Sequence, residues 1–171
     1  FPLPLATLLR VLDALPADAG LVVMSDHGFC SLKSEVQLSR YLVGKGWTAP
    51  AASPKGPLDI EAPESRAYCL IPGRLYINVI GREPAGAVSP SDYFRVRDEL
   101  AKDVAQLRAP GGEPVIKEVA KREDLYWPPG ENAPRPGMAL EEILSTETAF
   151  GRAPDLIAIP FDGYDLKMGL V

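Results

Sequence analysis

Leu5, Leu8, Leu9, Leu12 and Leu15 recur at three- and four-residue intervals, the period that lines apolar side chains along one face of a helix. Pro16 and the Ala-Asp-Ala-Gly that follows it interrupt the pattern before an uninterrupted apolar run, Leu21 to Met24. The spacing predicts a helix, a turn and then a strand. Four consecutive apolar residues suit a parallel strand covered on both faces. Ser34 with Gln37 three positions later has the form of a capping box ahead of Leu38, Tyr41 and Leu42. It predicts a second helix over 34–43, stopped by Gly44 or Gly46.

Residues 48–65 are rich in Pro, Ala and Ser and read as a linker or surface excursion. Beyond them 66–71 and 74–80 are β-rich runs on either side of Pro72-Gly73, the arrangement of a hairpin. Tyr93, Val96, Leu100, Val104 and Leu107 mark the apolar stripe of a further helix with Ser91 as its cap, and 115–120 is a short strand. Residues 127–137 carry too many prolines for regular structure, whereas 155–160 reads as a buried strand. The class is therefore α/β with an inserted α+β subdomain. The expected division is a core α/β segment over 1–47, the linker at 48–65, an α+β cap-like subdomain over 66–126, an irregular Pro-rich connection over 127–152 and a return strand to the core over 153–171.

Composition narrows the functional classes. Eighteen Lys and Arg against 23 Asp and Glu give a net charge of -5, and no basic cluster supplies the electrostatic footprint that nucleic acid requires. No apolar run approaches the roughly 20 residues of a membrane-spanning helix, and the opening FPLPLATLLR lacks the basic leader of a signal peptide. The chain reads as soluble and cytoplasmic. It begins with Phe and enters a helical pattern almost at once, so it is expected to be a piece of a longer protein. Two cysteines, Cys30 and Cys69, cannot build a disulfide framework or a four-thiolate metal site. They read as two buried or half-buried thiols, with one bridge between them as the alternative.

The candidate chemistry sits where the first predicted strand ends. Asp26 and His27, the latter the single histidine of the chain, follow the apolar run directly, and ligands in open α/β sheets bind beyond the carboxyl ends of strands. A carboxylate and a neutral imidazole together suit zinc, manganese or iron, provided that Gly28 lets the backbone curl so that the two side chains converge. The competing reading is a surface histidine beside a helix-capping aspartate. A Ser25-Asp26-His27 triad is excluded, because triad members meet in space from separate segments. Asn78 and Arg82 read either as substrate contacts or as a residue satisfying local backbone and an ion-pair partner. Asp162-Gly163 reads as a turn, and Tyr126, Trp127 and Tyr164 as packing or as the lining of a cleft.

VVMSDHGF (22–29) resembles the Asp-His-Gly metal motif of the alkaline phosphatase superfamily, in its type I phosphodiesterase/nucleotide pyrophosphatase-like branch of phosphohydrolases and phosphomutases. RLYINVIGREPAGAVSP (74–90), GEPVIKEVAKREDLY (112–126) and APDLIAIPFDGYDLK (153–167) are similar to that branch in the same order. The resemblance implies an alkaline-phosphatase-like core of buried, mostly parallel strands with helices. It implies two divalent metals, Zn or Mn, in the parent enzyme, with none necessarily bound by this fragment, and a small phosphate mono- or diester substrate attacked by a Thr or Ser nucleophile. Only Asp26 and His27 carry over as metal ligands. The family's nucleophile and other ligands have no counterpart here, and none of Thr7, Thr48, Thr146 and Thr148 has the context of a nucleophile. The resemblance thus implies a C-terminal portion of a larger hydrolase, with little turnover in isolation. Alternatives are a phosphomutase or sulfatase of the same superfamily, or a non-catalytic interaction module in which 66–126 covers the core or meets a partner.

Overall fold

The computed structural model describes residues 5–52, 60, 62–126, 140–145, 147 and 149–170. The chain divides into two units, Phe1–Cys30 and Ser31–Val171. In the first, helix α1 (Leu5–Ala14) follows from the leucine periodicity and ends ahead of Pro16, which disfavours helical backbone at the residue before it. The strand expected over Leu21–Met24 does not form. Its apolar residues stay in solvent, Val22 at 79% and Met24 at 85% exposure. A run of apolar residues becomes a strand only where a neighbour takes its backbone hydrogen bonds, and neither sheet of the described residues includes this segment.

The second unit is a mixed α/β fold. The helix expected over 34–43 begins later: Ser34–Gln37 is strand β1, and α2 spans Leu38–Gly44. The capping box is not made, since the Ser34 hydroxyl donates to the Glu35 carbonyl and Gln37 stands at the helix N-terminus without a side-chain cap. β1 instead pairs in parallel with β6 (Tyr164–Lys167), with Ser34 opposite Tyr164 and Gln37 opposite Lys167. Ladder bonds from a strand distant in sequence outweigh a local cap.

A four-stranded antiparallel sheet carries the remaining strands in the order β2 (Ala67–Ile71), β3 (Arg74–Ile77), β5 (Leu156–Pro160), β4 (Ile116–Lys121). β2 and β3 form the expected hairpin, with Tyr68 opposite Tyr76 and their rings stacked 5.5 Å apart. β5 lies between β3 and β4, and β6 of the same terminal segment reaches β1. Gly73 in the hairpin turn has φ of 76°, and a Cβ there would stand 2.8 Å from the Ala158 carbonyl oxygen on β5. Gly73→Ala should therefore lose about 2 kcal/mol or more, combining left-handed strain with a backbone clash. A urea midpoint unchanged from wild type would refute that.

Helix α3 (Tyr93–Ala105) lays Tyr93, Val96, Leu100 and Val104 into the core, as its stripe predicts. Its approach is capped by Ser89, whose hydroxyl accepts from the Asp92 N–H ahead of the helix; the expected cap, Ser91, does not do this. Short helices α4 (Arg122–Tyr126), α5 (Leu140–Leu144) and α6 (Ala149–Arg152) complete the described elements. The described ends of 48–65 are tied down: the Thr48 hydroxyl donates to the Ala67 carbonyl at 2.6 Å, and the Ala49 N–H donates to the Ser65 hydroxyl. Residues 127–139, including the expected irregular stretch and Trp127, lie outside the described residues. Asp162-Gly163 makes the turn between β5 and β6, Gly163 with φ of 93°. No helix of the described residues is long and apolar enough to cross a membrane.

Candidate functional site

Asp26 and His27 lie in irregular backbone of the first unit, and their side chains converge. His27 Nε2 stands 3.4 Å from Asp26 Oδ2, and the His27 main-chain N–H donates to Asp26 Oδ1 at 3.0 Å. An extended strand would send neighbouring side chains to opposite faces. The backbone at Asp26 and His27 is irregular rather than extended, which lets the two side chains meet. The Ser25 hydroxyl closes the curl by donating to the His27 carbonyl at 2.6 Å, and the Phe29 ring meets the imidazole edge-on at 5.0 Å. Asp26 caps no helix, while His27 is an exposed, hydrogen-bonded histidine, as the competing reading has it.

The tautomer decides which imidazole nitrogen is available. Nδ1 lies 3.0 Å from the Gly28 carbonyl oxygen, which can only accept, so this contact is a hydrogen bond when Nδ1 carries the proton. Nε2 then keeps its lone pair, on the side where Asp26 Oδ2 stands. Two ligands about 2.0–2.1 Å from a tetrahedral ion are about 3.4 Å apart, so the donor atoms of this pair fit two corners of one coordination sphere. Both side chains are open to solvent, Asp26 at 87% and His27 at 61%. Among the described residues no group of three or more His, Cys, Asp and Glu could hold a metal.

The second unit buries a polar centre of its own around Asp155, which is fully buried just ahead of β5. The Arg82 guanidinium grips it with both arms, Nη1 to Oδ1 at 2.8 Å and Nη2 to Oδ2 at 2.7 Å, and also donates to the Ile77 carbonyl. The Tyr93 hydroxyl donates to Oδ1 and the Ile77 N–H to Oδ2, each at 2.7 Å. Arg122 brings a second guanidinium to 3.5 Å from Oδ1 and donates to the Tyr93 hydroxyl and the Phe150 carbonyl. Burial by itself lowers the Arg82 pKa, but the hydrogen bonds and charge of Asp155 override it and raise it. Burial, and then the Asp155 charge, pushes the Tyr93 hydroxyl up.

Arg82 is therefore an ion-pair residue. Asn78 satisfies local backbone, donating to the Ser65 and Ala85 carbonyls. Asp155, Tyr93 and Arg122 were not singled out as a centre from sequence; the available signal was a carboxylate set against a strand with no polar neighbour, since buried acids are paired. Tyr126 is half exposed, Tyr164 sits beneath the Lys33 ammonium, and Thr48 is buried in its backbone bond. Thr7 lies on α1, while Thr146 and Thr148 fall outside the described residues. Cys30 and Cys69 are both free thiols; Cys30 is exposed, contrary to the buried or half-buried expectation, and burial pushes the Cys69 thiol up to about 11.

The chain matches no curated protein and no solved structure. The family model described as type I phosphodiesterase / nucleotide pyrophosphatase matches residues 5–169, across both units and through the Asp26-His27 motif. With a match over nearly its whole length, the chain belongs to the type I phosphodiesterase/nucleotide pyrophosphatase family of the alkaline phosphatase superfamily.

Proposed function

We propose that this chain is part of a metal-dependent phosphohydrolase acting on small phosphate mono- or diesters, in which Asp26 and His27 hold one of two divalent ions, zinc or manganese. The supporting observation is the 3.4 Å separation of Asp26 Oδ2 and His27 Nε2, with Nδ1 occupied by the Gly28 carbonyl. The family is typically metal-dependent. A pair of such ions, when bound, supplies charge for the attacking and leaving oxygens of an in-line displacement and lowers the pKa of the nucleophile. Asp26 contributes the anionic oxygen and His27 the neutral nitrogen. The Gly28 carbonyl and the Phe29 edge contact the imidazole in the orientation that turns Nε2 toward the carboxylate. A Thr or Ser nucleophile and the remaining ligands come from outside these 171 residues, so that the chain alone turns over little or no substrate.

Titration with Mn2+, following loss of the free-ion paramagnetic resonance signal, tests the assignment. Asp26→Ala and His27→Ala should each weaken binding by about tenfold or more. Because both side chains are exposed, each variant should keep wild-type stability to about 0.5 kcal/mol. Equal Mn2+ uptake by all three proteins would remove both residues from the ligand set. Separately, Mn2+-dependent cleavage of bis(4-nitrophenyl) phosphate by the chain alone, lost in His27→Ala, would overturn the expected lack of turnover while leaving the ligand assignment intact.

A further inference from the structure

The loop 78–88 leaves β3 and closes back on its own base. Val79 and Val88 are buried, and the Asn78 carbonyl accepts from the Ala87 and Val88 N–H groups at 2.8 Å. The tip, 80–87, is more exposed: Ile80 is half in solvent and Gly81 adopts φ of 89°, a backbone state open to glycine. Arg82 carries this tip into the core through its fork on Asp155, and the buried Asn78 amide donates to the tip's Ala85 carbonyl.

Asp155 has a second cation in place. With Arg82 withdrawn, the carboxylate would still face the Arg122 guanidinium at 3.5 Å and keep the Tyr93 hydroxyl and the Ile77 N–H. Uncovering a buried charge normally forbids such a movement. Here a reserve counter-ion removes much of that penalty, and Glu83, whose Oε1 accepts from Arg82 Nε at 3.2 Å, lies on the same loop and would travel with the departing guanidinium. We propose that residues 80–87 form a strap that opens as a unit while the sheet stays folded, Arg82 leaving Asp155 and Arg122 remaining as its counter-ion. Ile80, Gly81 and Arg82 line a cavity of about 420 Å³ together with Pro90 and Leu144, so opening the strap reshapes that cavity.

Amide hydrogen exchange resolved by NMR tests this, with Ile80, Glu83 and Ala87 reporting on the strap and Ala158, bonded to the Gly73 carbonyl, on the sheet. In wild type at low denaturant the strap amides should exchange about tenfold or more faster than Ala158. Arg82→Met should remain folded and speed the strap amides by about tenfold again, with Ala158 within about twofold of wild type. Arg122→Met, which removes the reserve counter-ion, should slow strap opening relative to Ala158. Strap and sheet amides exchanging together in wild type, failure of Arg82→Met to fold, or a faster strap in Arg122→Met would each overturn the proposal.

Discussion

Asp155→Ala should cost about 3–5 kcal/mol, because it takes the shared buried carboxylate from two buried guanidiniums at once. Asp155 and the side chains of Arg82 and Arg122 are all essentially withdrawn from water. Removing the carboxylate also leaves the Ile77 N–H and the Tyr93 hydroxyl without their acceptor, and a buried donor left unmade costs about 1–3 kcal/mol. Against a total of about 5–15 kcal/mol for a domain, the variant should be unfolded or close to it, as circular dichroism and urea titration would record. Removing either cation alone should cost less, since the other stays within reach of the carboxylate. A loss below about 1 kcal/mol for Asp155→Ala would mean that the centre is hydrated in solution and that the ion pairs are ordinary surface contacts.

Features encoded by near neighbours could be read from the chain. The hairpin needed only Pro72-Gly73 between two β-rich runs, and the stripe of α3 needed only its own period. Features made by distant partners could not. Ser34–Gln37 carries a cap signal that local reading assigns to a helix, yet its fate is decided by β6, far along the sequence. The buried centre likewise arises because the register of β3 against β5 sets Leu75 opposite Leu156 and delivers Asp155 to the Ile77 N–H. At the candidate metal pair, the two adjacent donors and the need for a curl were legible. The nitrogen that stays available was not, since it depends on where the Gly28 carbonyl points. The apolar run 21–24 fails in the opposite way: its composition is that of a strand, but no pattern within four residues supplies a neighbour to pair with.

Two leucines with the same sequence logic should answer differently to truncation. Leu9 and Leu100 each stand on the apolar stripe of a helix, and periodicity alone treats them alike. Leu100 is fully buried among Val96, Val104 and the antiparallel sheet. Leu100→Ala should therefore lose about 2–5 kcal/mol from transfer and cavity formation. Leu9 is 50% exposed on α1, a helix with no buried residue, so Leu9→Ala removes little packing and trades leucine for the best helix former. Its effect should stay within about 0.5 kcal/mol. Urea midpoints of the two variants, at unchanged slope, measure the difference directly. Equal and large losses would mean that the leucine face of α1 is covered in solution; a small loss for Leu100 would mean that α3 is not the lid of the core. The expected asymmetry separates what amphipathic spacing encodes, a helix with one apolar face, from what only packing supplies, something for that face to bury against.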